Sequence, residues 1–148
     1  MIWTVTDALS FLPKDSENYN RIMKIYIKII RGIVKFHGVD VIWHQVLNNP
    51  KSFGETSGSS MFTMAIAAGV NNGWLDESYK DYALEGWEAM SRKISNDGIV
   101  KGICRGTGIG YDEEFYMKRK RFPNDPRGLG ALFICAVEVD KLMKGSGD

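Results

Sequence analysis

Three features predict an all-α fold of helical hairpins in two concentric layers, an α/α toroid. Residues 19–37 and 76–94 carry apolar side chains at helical spacing on one face only. Segments 58–69 and 128–137 are apolar nearly all round and crowded with Gly and Ala. The two kinds alternate along the chain, as one-sided outer helices and enclosed inner helices would. A compact helical bundle is the alternative architecture. No period of about 20 to 50 residues is visible, which argues against a TPR or ankyrin solenoid.

Residues 1–11, with Trp3, Val5, Ala8, Leu9 and Phe11, read as an inner helix stopped near Pro13. In 19–37 the apolar face is Ile22, Ile25, Tyr26, Ile29, Ile30, Ile33 and Val34. Asp15 or Ser16 caps its start, and Gly38 fits its end. Its opposite face bears Arg21, Lys24, Lys28, Arg31 and Lys35. Such a stripe suits an acidic polymer, although a solvated outer face is the commoner explanation. In 76–94, Tyr79, Tyr82, Ala83, Trp87, Met90 and Ile94 share a face behind the cap candidate Asp76. Asn72-Gly73 ends the first inner helix, and Asp125-Pro126 supplies an N-cap and first-position proline for the second. Short β pieces are expected at 41–46 and 99–103.

The 148 residues make a single domain, 1–148, and 44% hydrophobic content supports a core rather than disorder. Nineteen Lys and Arg against 18 Asp and Glu provide no general drive toward nucleic acid or an anionic membrane. No stretch approaches the ~18 apolar residues of a membrane span, and the N-terminus has no leader pattern, so the default location is cytoplasmic. Cys104 and Cys135 lack metal-site or disulfide-framework spacing and read as buried thiols. No metal or cofactor is called for.

Chemistry is expected in four loops: Trp43-His44-Gln45, Phe53 to Ser59, Cys104 to Gly108, and Arg119 to Arg127. Aromatic rings lie against sugar faces, while amides, hydroxyls and guanidinium groups bond hydroxyls or a carboxylate. Structural roles compete at each position. Trp43 also fits a core anchor and His44 a satisfied structural histidine. The run before the inner helix is both a cap and an anion-binding helix end. Gly106-Thr107-Gly108-Ile109-Gly110 lacks the βαβ context of a dinucleotide loop. Asp112, Glu113 and Glu114 read as a solvated acidic turn, and no catalytic triad or metal spacing stands out.

Several linked motifs resemble one family group. They are Trp43-His44-Gln45-Val46-Leu47, Glu55-Thr56-Ser57-Gly58-Ser59-Ser60-Met61-Phe62, Gly69-Val70-Asn71-Asn72-Gly73-Trp74-Leu75 and Cys104-Arg105-Gly106-Thr107. Gly86-Trp87, Asp97-Gly98 and Arg119 fit the same pattern. In this order, from Trp3 to about Lys141, they resemble glycoside hydrolase families 88 and 105, the unsaturated glucuronyl and rhamnogalacturonyl hydrolases.

The resemblance implies the C-terminal half of an (α/α)6 barrel acting on unsaturated uronic-acid oligosaccharides left by polysaccharide lyases. Such enzymes hydrate the C4=C5 double bond, using an aspartate as general acid and base, and the hydrated sugar opens and releases its partner. That aspartate lies in the family's first half, so no catalytic residue is assigned here. Met1-Ile2 stands where the family has an arginine before the tryptophan that Trp3 resembles, and Arg127 stands in place of a histidine in Asp-x-His-Gly. The resemblance carries substrate contact to Trp3, Trp43, His44, Gln45, Glu55, Ser57, Arg105 and Arg119. The expectation is a hydrolase fragment inactive alone. The alternative is a non-catalytic assembly or glycan-binding module, pairing with a second copy or an N-terminal half through its open helical face.

Overall fold

The computed structural model describes residues 1–37, 40–106 and 108–145. Its helices are α1 (Ile2–Phe11), α2 (Glu17–Ile33), α3 (Thr56–Asn71), α4 (Lys80–Ser91), α5 (Glu113–Met117) and α6 (Pro126–Lys144). Two short strands, β1 (Ile103–Cys104) and β2 (Arg121–Phe122), pair antiparallel, Ile103 opposite Phe122.

The inner layer is organised around α3, which packs against α1, α4 and α6. Its small residues are there because neighbours come close. A Cβ on Gly69 would lie 2.0 Å from the Tyr26 hydroxyl oxygen, and one on Gly86 would lie 2.4 Å from Thr63 Oγ1. The Tyr26 hydroxyl donates to the Ala65 carbonyl at 2.7 Å, tying α2 to α3. Burial pushes its phenol pKa well above the usual value.

The outer helices are one-sided. Ser16 caps α2 by accepting from the Tyr19 N–H, and Tyr26, Ile30 and Ile33 enter the core. Ile25, expected on that face, is 46% exposed, because it lies one turn beyond Arg21 on the solvent flank. At Ile33 the α-helix gives way to a 3-10 turn, Val34–Phe36; the expected stop at Gly38 lies outside the described residues. Asp76 accepts from the Ser78 N–H at a second 3-10 turn, Glu77–Tyr79, which leads into α4. Asn72 and Gly73, at φ +68°, close α3 as expected, and Asp125 with Pro126 opens α6.

Other expectations are corrected. Segment 41–46 forms no strand beyond a single bridge between His44 and Gly54. Trp43 in that segment is bonded to α2 and α3 rather than to a neighbouring strand. The expected piece 99–103 is β-like in part: Val100 bridges Ile94 antiparallel, and Ile103 joins a strand whose partner is β2. The acidic turn at 112–114 starts a helix, because Asp112 accepts from the Phe115 N–H. Cys135 is buried, with its thiol pushed up to about 12, whereas Cys104 is only half-buried. Among the described residues no helix is long and apolar enough to cross a membrane.

Candidate functional site

The N-termini of α3 and α6 rise from one ribbon. Thr56 N–H donates to the Gly102 carbonyl and Thr56 Oγ1 to the Lys101 carbonyl, at 3.1 and 2.7 Å. Val100 N–H donates to Asn124 Oδ1, and Asn124 N–H returns to the Val100 carbonyl. Ile103 fits against Gly128, where an added Cβ would come within 2.5 Å of its side chain. Segment 100–104 thus fixes the two helix starts relative to each other.

Two buried carboxylates organise this end. Glu55 is 8% exposed and accepts from the Ser57, Gly58 and Cys104 N–H groups and the Ser57 hydroxyl. Asp125 is 2% exposed and accepts from Arg105 Nε at 2.7 Å, the Arg127 N–H at 3.1 Å and an Arg127 guanidinium nitrogen at 3.5 Å. The Arg105 guanidinium also lies 3.8 Å over the Phe122 ring. Arg119 donates to the carbonyls of Arg105 and Gly106 and sits 5.2 Å from the Phe115 ring centre. Arg105, Phe115, Lys118, Arg119, Lys120 and Phe122 line a hollow of about 410 Å³. Its basic rim with aromatic walls suits an anionic sugar.

The Asp125 carboxyl is held below the usual carboxylate range, first by the hydrogen bond from Arg105, which outweighs burial, with Arg127 adding to it. A depressed folded pKa means the carboxylate stabilises fully above its unfolded pKa, and that stabilisation is lost as pH falls through the folded value. Asp125→Asn is therefore expected to unfold more easily at neutral pH. It is also expected to lose less stability than the parent when acidified below about pH 4, the ordinary carboxylate pKa. Thermal midpoints against pH check this, and parallel curves for the two proteins would refute it.

The expected site residues separate into groups. Glu55, Ser57, Arg105 and Arg119 are joined, because Cys104, the residue before Arg105, donates its N–H to Glu55. All acceptor positions seen on Glu55 serve the fold, so its place is holding the loop rather than meeting sugar. Trp43 is corrected: at 1% exposed, with its indole N–H 2.8 Å from the Ile33 carbonyl, it is a core anchor out of reach of a ligand. His44 is half-buried and held by the Ser52 carbonyl and Asp40. It lines a different depression, with Lys35, Phe36 and Leu47. Gln45 is half-buried, and its N–H donates to the Phe53 carbonyl. Trp3, in the first turn of α1, is half-buried against the core, and no contact links it to the Arg105 hollow. Phe115 and Phe122 are not singled out by the sequence analysis; the available signal is the run of four cations from Lys118 to Arg121, flanked by Phe115, Tyr116 and Phe122.

The model of Glycosyl Hydrolase Family 88 matches residues 1–143. An unsaturated 3S-rhamnoglycuronyl hydrolase of Alteromonas sp. (strain LOR) is 32% identical over 131 residues, 86% of this chain and 30% of that protein. A protein of the same description from Formosa agariphila is 28% identical over 137 residues, 90% of this chain and 35% of its own length. A solved family 105 glycoside hydrolase from C. acetobutylicum superposes with a TM-score of 0.86 at 27% identity, covering 94% of this chain and 43% of that one. A possible family 105 member from Salmonella enterica, at 23% identity and a TM-score of 0.88, shares the fold. The chain therefore spans about a third of these curated relatives, less than the expected half. Its hairpins are those of an α/α toroid. With the fold, the loop order and the family match in agreement, the chain belongs to glycosyl hydrolase family 88.

Proposed function

We propose that this chain supplies the sugar-holding part of an unsaturated uronyl hydrolase that hydrates the C4=C5 bond of polysaccharide-lyase products. The observation that carries the reading is the pairing of Arg105 and Arg127 on the buried Asp125, beside an aromatic-walled basic hollow, in a family 88 chain. A guanidinium held by its Nε keeps its outer N–H groups free to bond a uronate carboxylate in a fixed direction. Arg127, in place of the family's histidine, adds a permanent cation where imidazole would be largely neutral. The favoured ligand is thus an oligosaccharide with an anionic group beyond the unsaturated uronate; the two curated relatives are named as unsaturated 3S-rhamnoglycuronyl hydrolases. Protonation of the double bond falls to an aspartate that no residue of this chain matches, so the chain alone binds without turnover.

Titration of the purified chain with an unsaturated uronyl disaccharide, with ultraviolet absorbance followed in parallel, tests both parts. Saturable binding that weakens about tenfold, ~1.4 kcal/mol, in Arg105→Gln is expected, with the absorbance of the double bond unchanged. Absence of binding would overturn the sugar-holding role. Loss of absorbance would overturn the inactive state.

A second reading, assembly through an open helical face, is favoured by α6. Phe133 and Val137 lie one turn apart and are 64% and 54% exposed, opposite the face that α6 packs on α3. Light scattering decides it, since a stable monomer at high concentration is incompatible with such pairing.

A further inference from the structure

We infer that the outer face of α2 is a second binding surface, a cationic stripe for an extended anionic polysaccharide, separate from the Arg105 hollow. The ligand class rests on the proposed function, whereas the stripe itself does not. At 3.6 residues per turn, Arg21, Lys24, Lys28 and Arg31 fall within an arc of about 80° of α2 and extend over about 15 Å, and Lys35 follows in the 3-10 turn Val34–Phe36. All five are exposed. Four cations on or just beyond other helices are neutralised locally: Arg92, Lys118, Lys141 and Lys144 each bridge a carboxylate three or four residues away, whereas Lys80 of α4 bridges none among the described residues. Among the described residues no ion pair reaches any of the five on the stripe, and the acid in the first turn of α2, Glu17, precedes them all. Stacked like charges on one helix face repel modestly, and a bound polyanion relieves that repulsion.

Beside the stripe, Lys24, Lys28, Arg31 and Lys35 flank the half-buried Met23, Ile27 and Gly32 on an open surface of the same stretch of chain. The space beside Gly32 is open, with no atom within 4 Å of where a Cβ would stand. Cations along an apolar floor match a glycan chain, whose C–H faces lie on Met23 and Ile27 while its carboxylates or sulfates meet the cations. A membrane is disfavoured because the apolar face of α2, with Tyr26, Ile30 and Ile33, is already in the core. A nucleic acid is disfavoured because the five stripe positions present no aromatic ring for base stacking.

Affinity electrophoresis of the whole chain through gels of polygalacturonate or neutral dextran tests this. Polygalacturonate has saturated ends, so its binding is independent of any hydrolase activity. The chain should be retarded by polygalacturonate and not by dextran. Lys24→Gln/Lys28→Gln/Arg31→Gln should weaken the retardation at least about tenfold and lower its logarithmic salt dependence by about two to three. Arg92→Gln, at an exposed cation at the end of α4 outside both surfaces, should leave it unchanged, while the unsaturated disaccharide titration fails or succeeds separately. Polymer binding by the triple variant within about twofold of the parent would overturn the proposal, as would equal retardation in dextran. It would also be overturned if the three substitutions altered only sedimentation of the chain alone, which would assign the stripe to contact with a second copy.

Discussion

Trp43→Ala is expected to destabilise the chain by about 3–5 kcal/mol, a large fraction of the 5–15 kcal/mol typical of a domain. The indole is 1% exposed and lies between three elements. Its ring centre is 4.8 Å from that of His37 and 5.5 Å from that of Phe62, the latter edge-on. Its Nε1–H donates to the Ile33 carbonyl at 2.8 Å, where α2 passes into the 3-10 turn Val34–Phe36. Its backbone is clamped as well: its N–H donates to Ser59 Oγ, and its carbonyl accepts from that hydroxyl and from the Glu55 N–H. Truncation leaves a cavity between α2 and α3 and removes the side-chain hydrogen bond that ties the intervening loop to the end of α2. Burial keeps His37 below the usual imidazole range, so a neutral ring faces that cavity and cannot offset the loss by charging at neutral pH. Trp43→Phe should lose less, about 1–3 kcal/mol, because area is kept and the hydrogen bond is not. Urea unfolding by circular dichroism measures both, and a cost below about 1 kcal/mol for Trp43→Ala would contradict a core role.

That residue also shows where reading from sequence stops. The helices were legible because their signals are local: a 3.6-residue apolar period in α2, caps at Ser16, Asp76 and Asp125, and Asn72-Gly73 closing α3. The small residues of α3 correctly pointed to close packing, with Gly69 under Tyr26, and Gly86 of α4 lies as closely against Thr63 of α3. Strand β2 was invisible because two residues carry no alternation, and Arg121–Phe122 is a strand only through pairing with Ile103–Cys104. Helix α5 was missed although Asp112 followed by two acids is a start signal, because five residues bury no apolar stripe that would reveal a period. For the site, residue type alone leaves Trp43 equally suited to a sugar and a core, and only tertiary burial separates the two. Arg105 and Arg119 were identifiable as loop guanidinium groups. Their common geometry depends on Asp125, 20 residues beyond Arg105, whose cap role was legible and whose hold on Arg105 was not.

Glu55→Ala is expected to cost about 2–4 kcal/mol and to weaken ligand binding, because one buried carboxylate starts α3 and positions the Arg105 loop together. Its two oxygens accept from the Ser57 and Gly58 N–H groups, otherwise orphaned in the first turn. Losing such a cap costs about 0.5–2 kcal/mol. The Cys104 N–H, 2.9 Å from Oε1, would also lose this acceptor at a half-buried position, at about 1–3 kcal/mol. The sum is unlike that for an exposed acid, for which removal changes little. Glu55→Gln discriminates between capping by shape and capping by charge. An amide keeps the oxygen that serves Ser57 and Cys104 but turns an NH2 group toward the Gly58 N–H, so donor faces donor. Its cost should fall between those of parent and alanine, with part of the affinity for an unsaturated uronyl disaccharide retained. If Glu55 instead met the sugar directly, Glu55→Ala would lose binding with stability nearly unchanged. Denaturant midpoints measured beside ligand titrations therefore separate a strut from a contact, and the bonding of this carboxylate requires the two losses to appear together.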